Sequence, residues 1–216
     1  MFQRHLSGMR AVTAAVWIAG VGVLAAPRVN AADPAGAPVA PAAVAGPTFG
    51  VVEGEKGPYL VGEVTREDIV AAFPAWNDSA AAYAPEPEAV ARLAAVSRPV
   101  DVVCVLGTWC GDSRREVPRF WKLMESAANP NLRLRMFAVG RKDDAAALAK
   151  SEAVGAPRDI RAVWGVTLVP TFIFRADGEE LGRIIETPTG TLEGDAAGIA
   201  APAAPPTGTS EQGGWH

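Results

Sequence analysis

The sequence predicts an α/β domain with a central mixed β-sheet flanked by helices. The stretch Val100–Leu106 (VDVVCVL) is an almost unbroken apolar run of strand length, which is typical of a central strand covered on both faces. Residues 111–126 follow at once, and their apolar side chains recur at the i, i+3, i+4, i+7 spacing of one buried helix face. Further on, an Asp-Gly pair at 177–178 separates two strand-like segments and is a strong hairpin signal.

The other elements follow from local patterns. Before the central strand, Thr65 is placed to cap a short helix through Ala72, and a second helix is expected from about Glu86, so the domain has extra N-terminal helices. Pro118 lies inside the helix at 111–126 and predicts a kink. The elements predicted after this helix are a strand at 132–139, helices at 143–153 and 158–164, and strands at 171–175 and 180–185.

The chain has 216 residues, which suits one domain with extensions. We predict that this domain spans 49–193. Residues 32–48 are rich in Ala, Pro and Gly and are expected to form a linker, and residues 194–216 have a similar composition and are expected to form a disordered tail.

Residues 1–31 have the pattern of a secretory signal peptide. Arg4, His5 and Arg10 precede an uncharged apolar run at 11–26, and small residues follow it. We expect cleavage after Ala31 or Ala32 and export to an oxidising periplasmic or extracellular compartment. The alternative is an uncleaved N-terminal anchor, which is the one case in which we expect contact with a membrane.

Composition excludes several classes of function. The formal net charge is -4 with both signs interspersed, so no basic stripe for nucleic acid is expected. The two histidines are His5 and His216, which leaves the folded body without an imidazole for a catalytic pair or a histidine-rich metal site. We therefore predict no cofactor and no metal. Cys104 and Cys110 are the two thiols of the chain and the leading candidates for its chemistry.

Cys110 lies in the stretch TWCGDSRREVPRF, at the start of the predicted helix. Unpaired backbone N–H groups and the positive end of the helix dipole favour a thiolate at this position. Arg114 and Arg115 are expected to add to this effect and Asp112 to oppose it. Cys110 is therefore predicted to be reactive, and a buried inert cysteine is the alternative.

This motif resembles the thioredoxin-like superfamily. The matching features are Trp109 directly before Cys110, Pro118 eight residues after it, and the Val169-Pro170-Thr171 sequence that opens a strand. The resemblance covers about 100–185, with an insertion around 142–154 similar to that of secreted proteins of the TlpA type.

The resemblance implies a thioredoxin-like fold and a set of site residues. It implies that Val169-Pro170 is a cis bond and that its loop faces the cysteine, with Pro170 a catalytic residue. Trp109, Val169 and Thr171 are expected to form the substrate groove. A proline that merely begins an edge strand is the alternative.

Ser113 is the departure from the family, because it stands where a CxxC site has its second cysteine. A serine hydroxyl is able to donate a hydrogen bond to the Cys110 thiolate, but it cannot attack a mixed disulfide and release the product. A site with Cys110 and Ser113 as its catalytic residues therefore needs an external thiol. That is compatible with glutathione-dependent reduction, disulfide isomerisation or capture of a client cysteine.

Cys104 is a candidate second thiol. When the strand and the Trp-Cys pair are aligned, it falls where thioredoxins carry a buried acid beneath the site. A direct bridge to Cys110 requires Cα atoms within about 7 Å. The alternative is that Cys104 is a small hydrophobic residue of the strand.

The sequence thus predicts an exported thioredoxin-like protein with a one-cysteine thiol-disulfide exchange site. Its expected partners are client protein thiols or disulfides, or a low-molecular-weight thiol, and no nucleic acid. The main alternative is a redox-inactive module that binds peptides or acts as a chaperone. A resemblance of CGDS to the CGFS of monothiol glutaredoxins suggests an iron-sulfur protein, but the signal peptide and Trp109 weigh against it. Peroxiredoxin-like activity is weaker still, because Gly107 stands where that family has threonine.

Overall fold

The computed structural model describes residues 48–201. In this part of the chain, two strands and three helices precede the third strand, and four strands and four helices follow from that strand onward. The elements are β1 (Phe49–Gly54), β2 (Gly57–Val64), α1 (Arg66–Ala72), α2 (Ala75–Ala81), α3 (Pro87–Ala94), β3 (Val100–Leu106), α4 (Gly111–Ala127), β4 (Leu132–Ala138), α5 (Ala145–Ala153), α6 (Ile160–Trp164), β5 (Thr171–Ala176), β6 (Glu179–Ile185) and α7 (Leu192–Ala200). None of the helices in these residues is long and apolar enough to cross a membrane.

The strands form one six-stranded sheet in the order β1-β2-β4-β3-β5-β6. Central strand β3 pairs in parallel with β4, to which it is linked by α4, and antiparallel with β5. Strands β5 and β6 form a hairpin, as the Asp-Gly turn predicted. The unit β3-α4-β4 followed by the β5-β6 hairpin is the thioredoxin-like arrangement, so the predicted fold class is confirmed.

Successive residues of β3 face opposite sides of the sheet, which gives the domain two cores. On one side, Val102 and Cys104 pack with apolar residues of α1 to α4 and α7. On the other side, Val103 and Val105 pack with Ile160 of α6 and with the segment that leads into β5. The sheet is thus covered on both faces, in agreement with the unbroken apolar run of β3.

The N-terminal part of the domain contains the predicted helices and also a hairpin that was not predicted. Thr65 caps α1 in a capping box with Asp68, as expected. Strands β1 and β2 pair with each other, and the last residues of β2 pair antiparallel with the end of β4. The hairpin therefore extends the sheet beyond β4.

The predicted C-terminal boundary at Glu193 is wrong. Residues 192–200 form α7, which Thr191 caps by accepting a hydrogen bond from the backbone N–H of Gly194. Leu192 and Ala196 of this helix are buried in the core on the α4 side. The domain therefore extends to 201, and the predicted tail is ordered at its beginning. The predicted signal peptide, the linker up to residue 47 and residues 202–216 lie outside the described residues.

Candidate active site

Cys110 is the residue that precedes α4 and serves as its N-cap, with extended backbone angles of φ -89° and ψ 133°. Its side chain is half-buried and makes no capping hydrogen bond. The thiol instead donates to the backbone carbonyl of Val169 at 3.2 Å. The sulfur therefore lies at the positive end of a 17-residue helix and against the loop that opens β5.

The peptide bond between Val169 and Pro170 is cis, as the resemblance implied. Both side chains of this pair are buried, and so is that of Thr171, whose hydroxyl donates to the carbonyl of Leu168 at 2.7 Å. The loop therefore faces Cys110 with its backbone. Any contact of Val169 or Thr171 with a substrate is made by main-chain groups.

Trp109 is held in place from three sides. Its indole N–H donates to the carbonyl of Val139 at 2.8 Å, and the Arg141 guanidinium lies 4.5 Å from the centre of its ring. A Cβ at Gly107 would lie 2.8 Å from the ring, so only glycine lets the indole pack this closely against the chain. The ring is half-buried beside Cys110, where it is available as one wall of a groove.

Ser113 is fully buried in the first turn of α4. Its Oγ accepts a hydrogen bond from the backbone N–H of Gly107 at 3.1 Å. The hydroxyl thus ties the start of α4 to the end of β3, a structural role that the sequence did not indicate. The predicted hydrogen bond from Ser113 to a Cys110 thiolate stays a prediction.

A second tie holds the segment that leads to Cys110. The hydroxyl of Thr108, which is fully buried, accepts from the backbone N–H of Leu60 at 3.0 Å. The carbonyl of Thr108 accepts from Arg114 Nε at 3.1 Å. The unpredicted hairpin therefore supports the candidate site through β2.

Of the two arginines expected to support a thiolate, Arg115 is paired with carboxylates. It contacts Asp112 at 2.8 Å and Glu116 at 2.6 Å, and these bonds raise the pKa of its guanidinium, with the Glu116 bond having the largest effect. Much of its positive charge is thereby neutralised. The charge near the sulfur must come mainly from other residues.

Arg161 of α6 is such a residue, and no pattern in the sequence pointed to it. Its guanidinium donates to the carbonyls of Gly140 at 3.1 Å and Thr167 at 3.2 Å. Burial lowers the pKa of Arg161, and the negative charges of Asp159 and of a Cys110 thiolate act in the opposite direction. Arg161 is thus a cation close enough to the sulfur to interact with it through space.

Cys104 lies in a different environment. It is fully buried in β3, between Met136 of β4 and Phe172 of β5, and it belongs to the core on the α4 side. Cys110 packs against the opposite core. Burial raises the pKa of the Cys104 thiol far above its ordinary value. Both cysteines are free thiols, and their side chains pack in different clusters.

A cavity of about 530 Å³ lies beside Trp109 and is also lined by Tyr59, Arg114, Arg141 and Asp144. The Tyr59 hydroxyl donates to the Asp144 carboxylate. Burial and this hydrogen bond raise the pKa of Tyr59 to about 12, and the same bond lowers the pKa of Asp144. The pair fixes α5 against β2 at the edge of the site. Among the described residues, no group of three His, Cys, Asp or Glu side chains is arranged to hold a metal ion.

No protein-family model and no curated protein matches the chain. Solved structures do match. A protein of unknown function from Pseudomonas aeruginosa is 18% identical, with 62% of this chain and 72% of that chain covered and a TM-score of 0.40. The thioredoxin of Fasciola hepatica is 24% identical, with 40% and 67% covered and a TM-score of 0.28. Mitochondrial thioredoxin 3 of Saccharomyces cerevisiae is 26% identical, with 48% and 79% covered and a TM-score of 0.32.

All three TM-scores are below 0.5, and the fold class is therefore assigned from the strand order and from the geometry around Cys110. The topology is thioredoxin-like, a single half-buried thiol begins the helix after the central strand, and a cis-proline loop faces that thiol. The class is therefore that of α/β proteins with a thioredoxin-like fold.

Proposed function

We propose that the protein is an exported thiol-disulfide exchange protein that uses Cys110 as its single reactive sulfur. Its substrates are protein thiols or disulfides, or low-molecular-weight thiols. The observation that carries this proposal is the position of the Cys110 sulfur at the N-terminus of α4, 3.2 Å from the carbonyl oxygen of Val169 in the cis-proline loop.

The helix start supplies the chemistry of the first step. The Cys110 thiolate attacks one sulfur of a substrate disulfide, a new S–S bond forms to Cys110, and the second substrate sulfur leaves with the electron pair and takes up a proton. The first-turn N–H groups of α4 have no capping side chain at Cys110, so they are available to stabilise the thiolate.

The loop supplies a docking group for the mixed disulfide. In the free protein, the Val169 carbonyl accepts a hydrogen bond from the Cys110 thiol. A sulfur in a disulfide has no proton to donate, so this carbonyl becomes available for a backbone N–H of a client peptide. Formation of the covalent bond and docking of an extended chain therefore favour each other.

Ser113 defines how the cycle ends. Its hydroxyl is buried and engaged with the Gly107 N–H, and oxygen cannot replace sulfur in the exchange. The mixed disulfide must be resolved by an external thiolate. When two molecules of that thiol are consumed, they are oxidised to one disulfide, the client disulfide is reduced, and Cys110 returns to its starting state.

Replacing Ser113 with cysteine tests this proposal. Ser113→Cys places a second sulfur one helical turn from Cys110, and we expect insulin reduction by dithiothreitol to rise at least about tenfold over the native chain, because the resolving step becomes intramolecular. Ser113→Ala is the matched control: it loses the hydroxyl that bonds to the Gly107 N–H but gains no sulfur, so its rate should not exceed the native rate. Incubation of the native chain with hydroxyethyl disulfide should give one adduct, on Cys110, detected by mass spectrometry.

If Cys110 of the folded native chain forms no adduct while the unfolded chain does, the exchange function is wrong. The redox-inactive peptide-binding module then becomes the better description. If adducts form but Ser113→Cys brings no gain in turnover, resolution by an external thiol is not the limiting step and that part of the proposal fails.

A further inference from the structure

We propose that a cavity next to Cys110 binds the anionic group of a small carboxylate-bearing thiol, and that this thiol resolves the Cys110 mixed disulfide. This inference rests on the proposed function and names the chemistry of its second substrate. The cavity, here called the α5–α6 cavity, has a volume of about 640 Å³. It lies between the end of β4, helices α5 and α6, and the segment at 165–168. This volume is in the range of small-molecule sites.

The α5–α6 cavity has an excess of positive charge. Arg141, Lys142, Arg158 and Arg161 line it, together with the two acids Asp143 and Asp159, so the lining carries a net charge of two positive units. Its apolar wall comprises Val139, Leu148, Val166 and Leu168. A ligand with a short carbon chain and an anionic group matches this combination.

Two of the lining groups are already occupied. Arg158 pairs with Glu152 at 2.9 Å, and the Asp159 carboxylate caps α6 by accepting from the Ala162 N–H at 3.0 Å. Neither is therefore the main feature that an incoming ion meets.

The remaining cations form no ion pair within residues 48–201, although Asp159 acts on Arg161 and Asp144 on Arg141 through space. Among the described residues, no carboxylate lies within 4.0 Å of the charged groups of Arg141, Lys142 or Arg161. Arg161 donates to two carbonyls, and its buried Nε has no hydrogen-bond partner in that part of the chain. A guanidinium with unused donors is suited to a carboxylate.

The cavity borders the segments that hold the sulfur. Leu168 lines the cavity and directly precedes Val169, whose carbonyl accepts a hydrogen bond from the Cys110 thiol. On the other side, Arg141 lines the cavity and stacks on Trp109, the residue before Cys110. A small molecule that places its carboxylate in the cavity is therefore held next to the mixed disulfide.

The step that this ligand performs balances as an exchange. Its thiolate attacks Cys110 Sγ in the mixed disulfide and forms a new S–S bond to that sulfur, while the bond to the client sulfur breaks. The client sulfur leaves with the electron pair and takes up a proton. A second molecule of the thiol attacks the ligand sulfur, frees Cys110 as a thiolate and forms the oxidised small-molecule disulfide.

The test uses the native chain with 2-thiopyridine attached to Cys110 as an uncharged client sulfur. Release of the absorbing thiopyridone is measured with mercaptoacetate, 2-mercaptoethanol and cysteamine, which are anionic, neutral and cationic. Each rate is divided by the rate with the 2-thiopyridyl adduct of N-acetylcysteine amide, which removes differences in intrinsic reactivity. We expect the normalised rate for mercaptoacetate to exceed that for 2-mercaptoethanol about tenfold, and that for cysteamine to be lowest.

Arg161→Gln and Arg141→Gln should each remove most of this preference, and Arg161→Lys should retain part of it. Arg98→Gln is the control, because Arg98 is exposed and lies just before β3, at the opposite end of this strand from Cys110. If the adduct forms but the three thiols react alike, or if the preference persists in both Arg161→Gln and Arg141→Gln, the cavity proposal is overturned and the exchange function stands.

A binding measurement makes the inference independent of turnover. (Methylsulfanyl)acetate, the S-methyl ether of mercaptoacetate, carries the carboxylate but no thiol, so it binds without reacting. With the Cys110→Ser chain, we expect its addition to shift NMR resonances of residues around the α5–α6 cavity, and these shifts to weaken in Cys110→Ser/Arg161→Gln. Shifts that are absent, or that lie elsewhere on the domain, contradict the site whether or not Cys110 exchanges disulfides.

Discussion

The same substitution at the two cysteines should have opposite effects on stability. Cys104 is fully buried in the core on the α4 side. Cys110, by contrast, is a half-buried N-cap without a capping hydrogen bond. Serine has nearly the size of cysteine but carries a strong hydrogen-bonding group. Cys104→Ser therefore places a hydroxyl among apolar side chains, and Cys110→Ser places one where a helix needs an acceptor.

The magnitudes follow from these surroundings. Burying a hydroxyl without a partner at Cys104 should lower the free energy of unfolding by about 2–3 kcal/mol. Cys104→Ala avoids that penalty but leaves a small void, and we expect a loss of about 1–2 kcal/mol. Cys110→Ser should raise the free energy of unfolding by about 0.5–1 kcal/mol, because the serine Oγ accepts from an N–H in the first turn of α4.

Urea denaturation of the reduced chains measures all three differences, with unchanged m-values as the sign that only stability has changed. Cys104→Ala should also leave the rate of adduct formation at Cys110 unchanged, since the two side chains pack in different clusters. The reasoning is refuted if Cys104→Ser costs nothing. It is refuted as well if Cys104→Ala slows exchange at Cys110 in a chain that remains folded, which would restore Cys104 as a second thiol.

Two further predictions concern the surroundings of Trp109 and the hairpin. Gly107→Ala puts a Cβ 2.8 Å from the Trp109 ring, so the NMR resonance of the indole N–H should shift and adduct formation at Cys110 should slow. Gly111→Ala, whose Cβ meets open space, is the control and should change neither. An unchanged indole resonance in Gly107→Ala would contradict the contact. Tyr59 has a pKa raised to about 12, so the native state should lose stability between pH 9 and pH 11, because the tyrosine of the unfolded chain ionises first. Tyr59→Phe should be less stable at neutral pH and flatter in this alkaline window, measured by urea denaturation at each pH; equal slopes would disprove the assignment.

The central part of the fold was predictable because its signals are local. A strand buried on both faces is an apolar run, and α4 carries one apolar face. The β1-β2 hairpin was missed because Gly50, Gly54, Gly57 and Gly62 interrupt its alternation. It becomes a sheet element through its pairing with β4, which is distant in sequence.

Helix α7 was missed for a similar reason. Its Ala- and Gly-rich sequence has the composition of a tail, and tertiary contacts make it a helix. Arg92 of α3 donates to the carbonyls of Ala197 and Ala201 at its end, and Leu192 is buried in the core. None of these contacts is visible in a local pattern.

The candidate site divides in the same way. The motif around Cys110 and the Val169-Pro170 pair are each a short continuous stretch of sequence, so the resemblance was enough to identify them. The direction of the Ser113 hydroxyl was not predictable, because it depends on how α4 packs against the end of β3. Arg161 acts on the sulfur through space from a separate helix, so only the folded chain brings the two charges near each other.

The short pairing between β2 and β4 has a consequence for solubility. Strand β2 pairs with β4 only at Met136, Phe137 and Ala138, so the first half of β4 pairs, among the described strands, with β3 alone. That half reads LRLR, and Arg133 and Arg135 are bound there to Asp101 and Glu63. A strand of another molecule that added to this edge would have to strip water from two guanidinium groups. We expect the two arginines to disfavour edge-to-edge association at this half of β4, which has no second partner strand among the described residues.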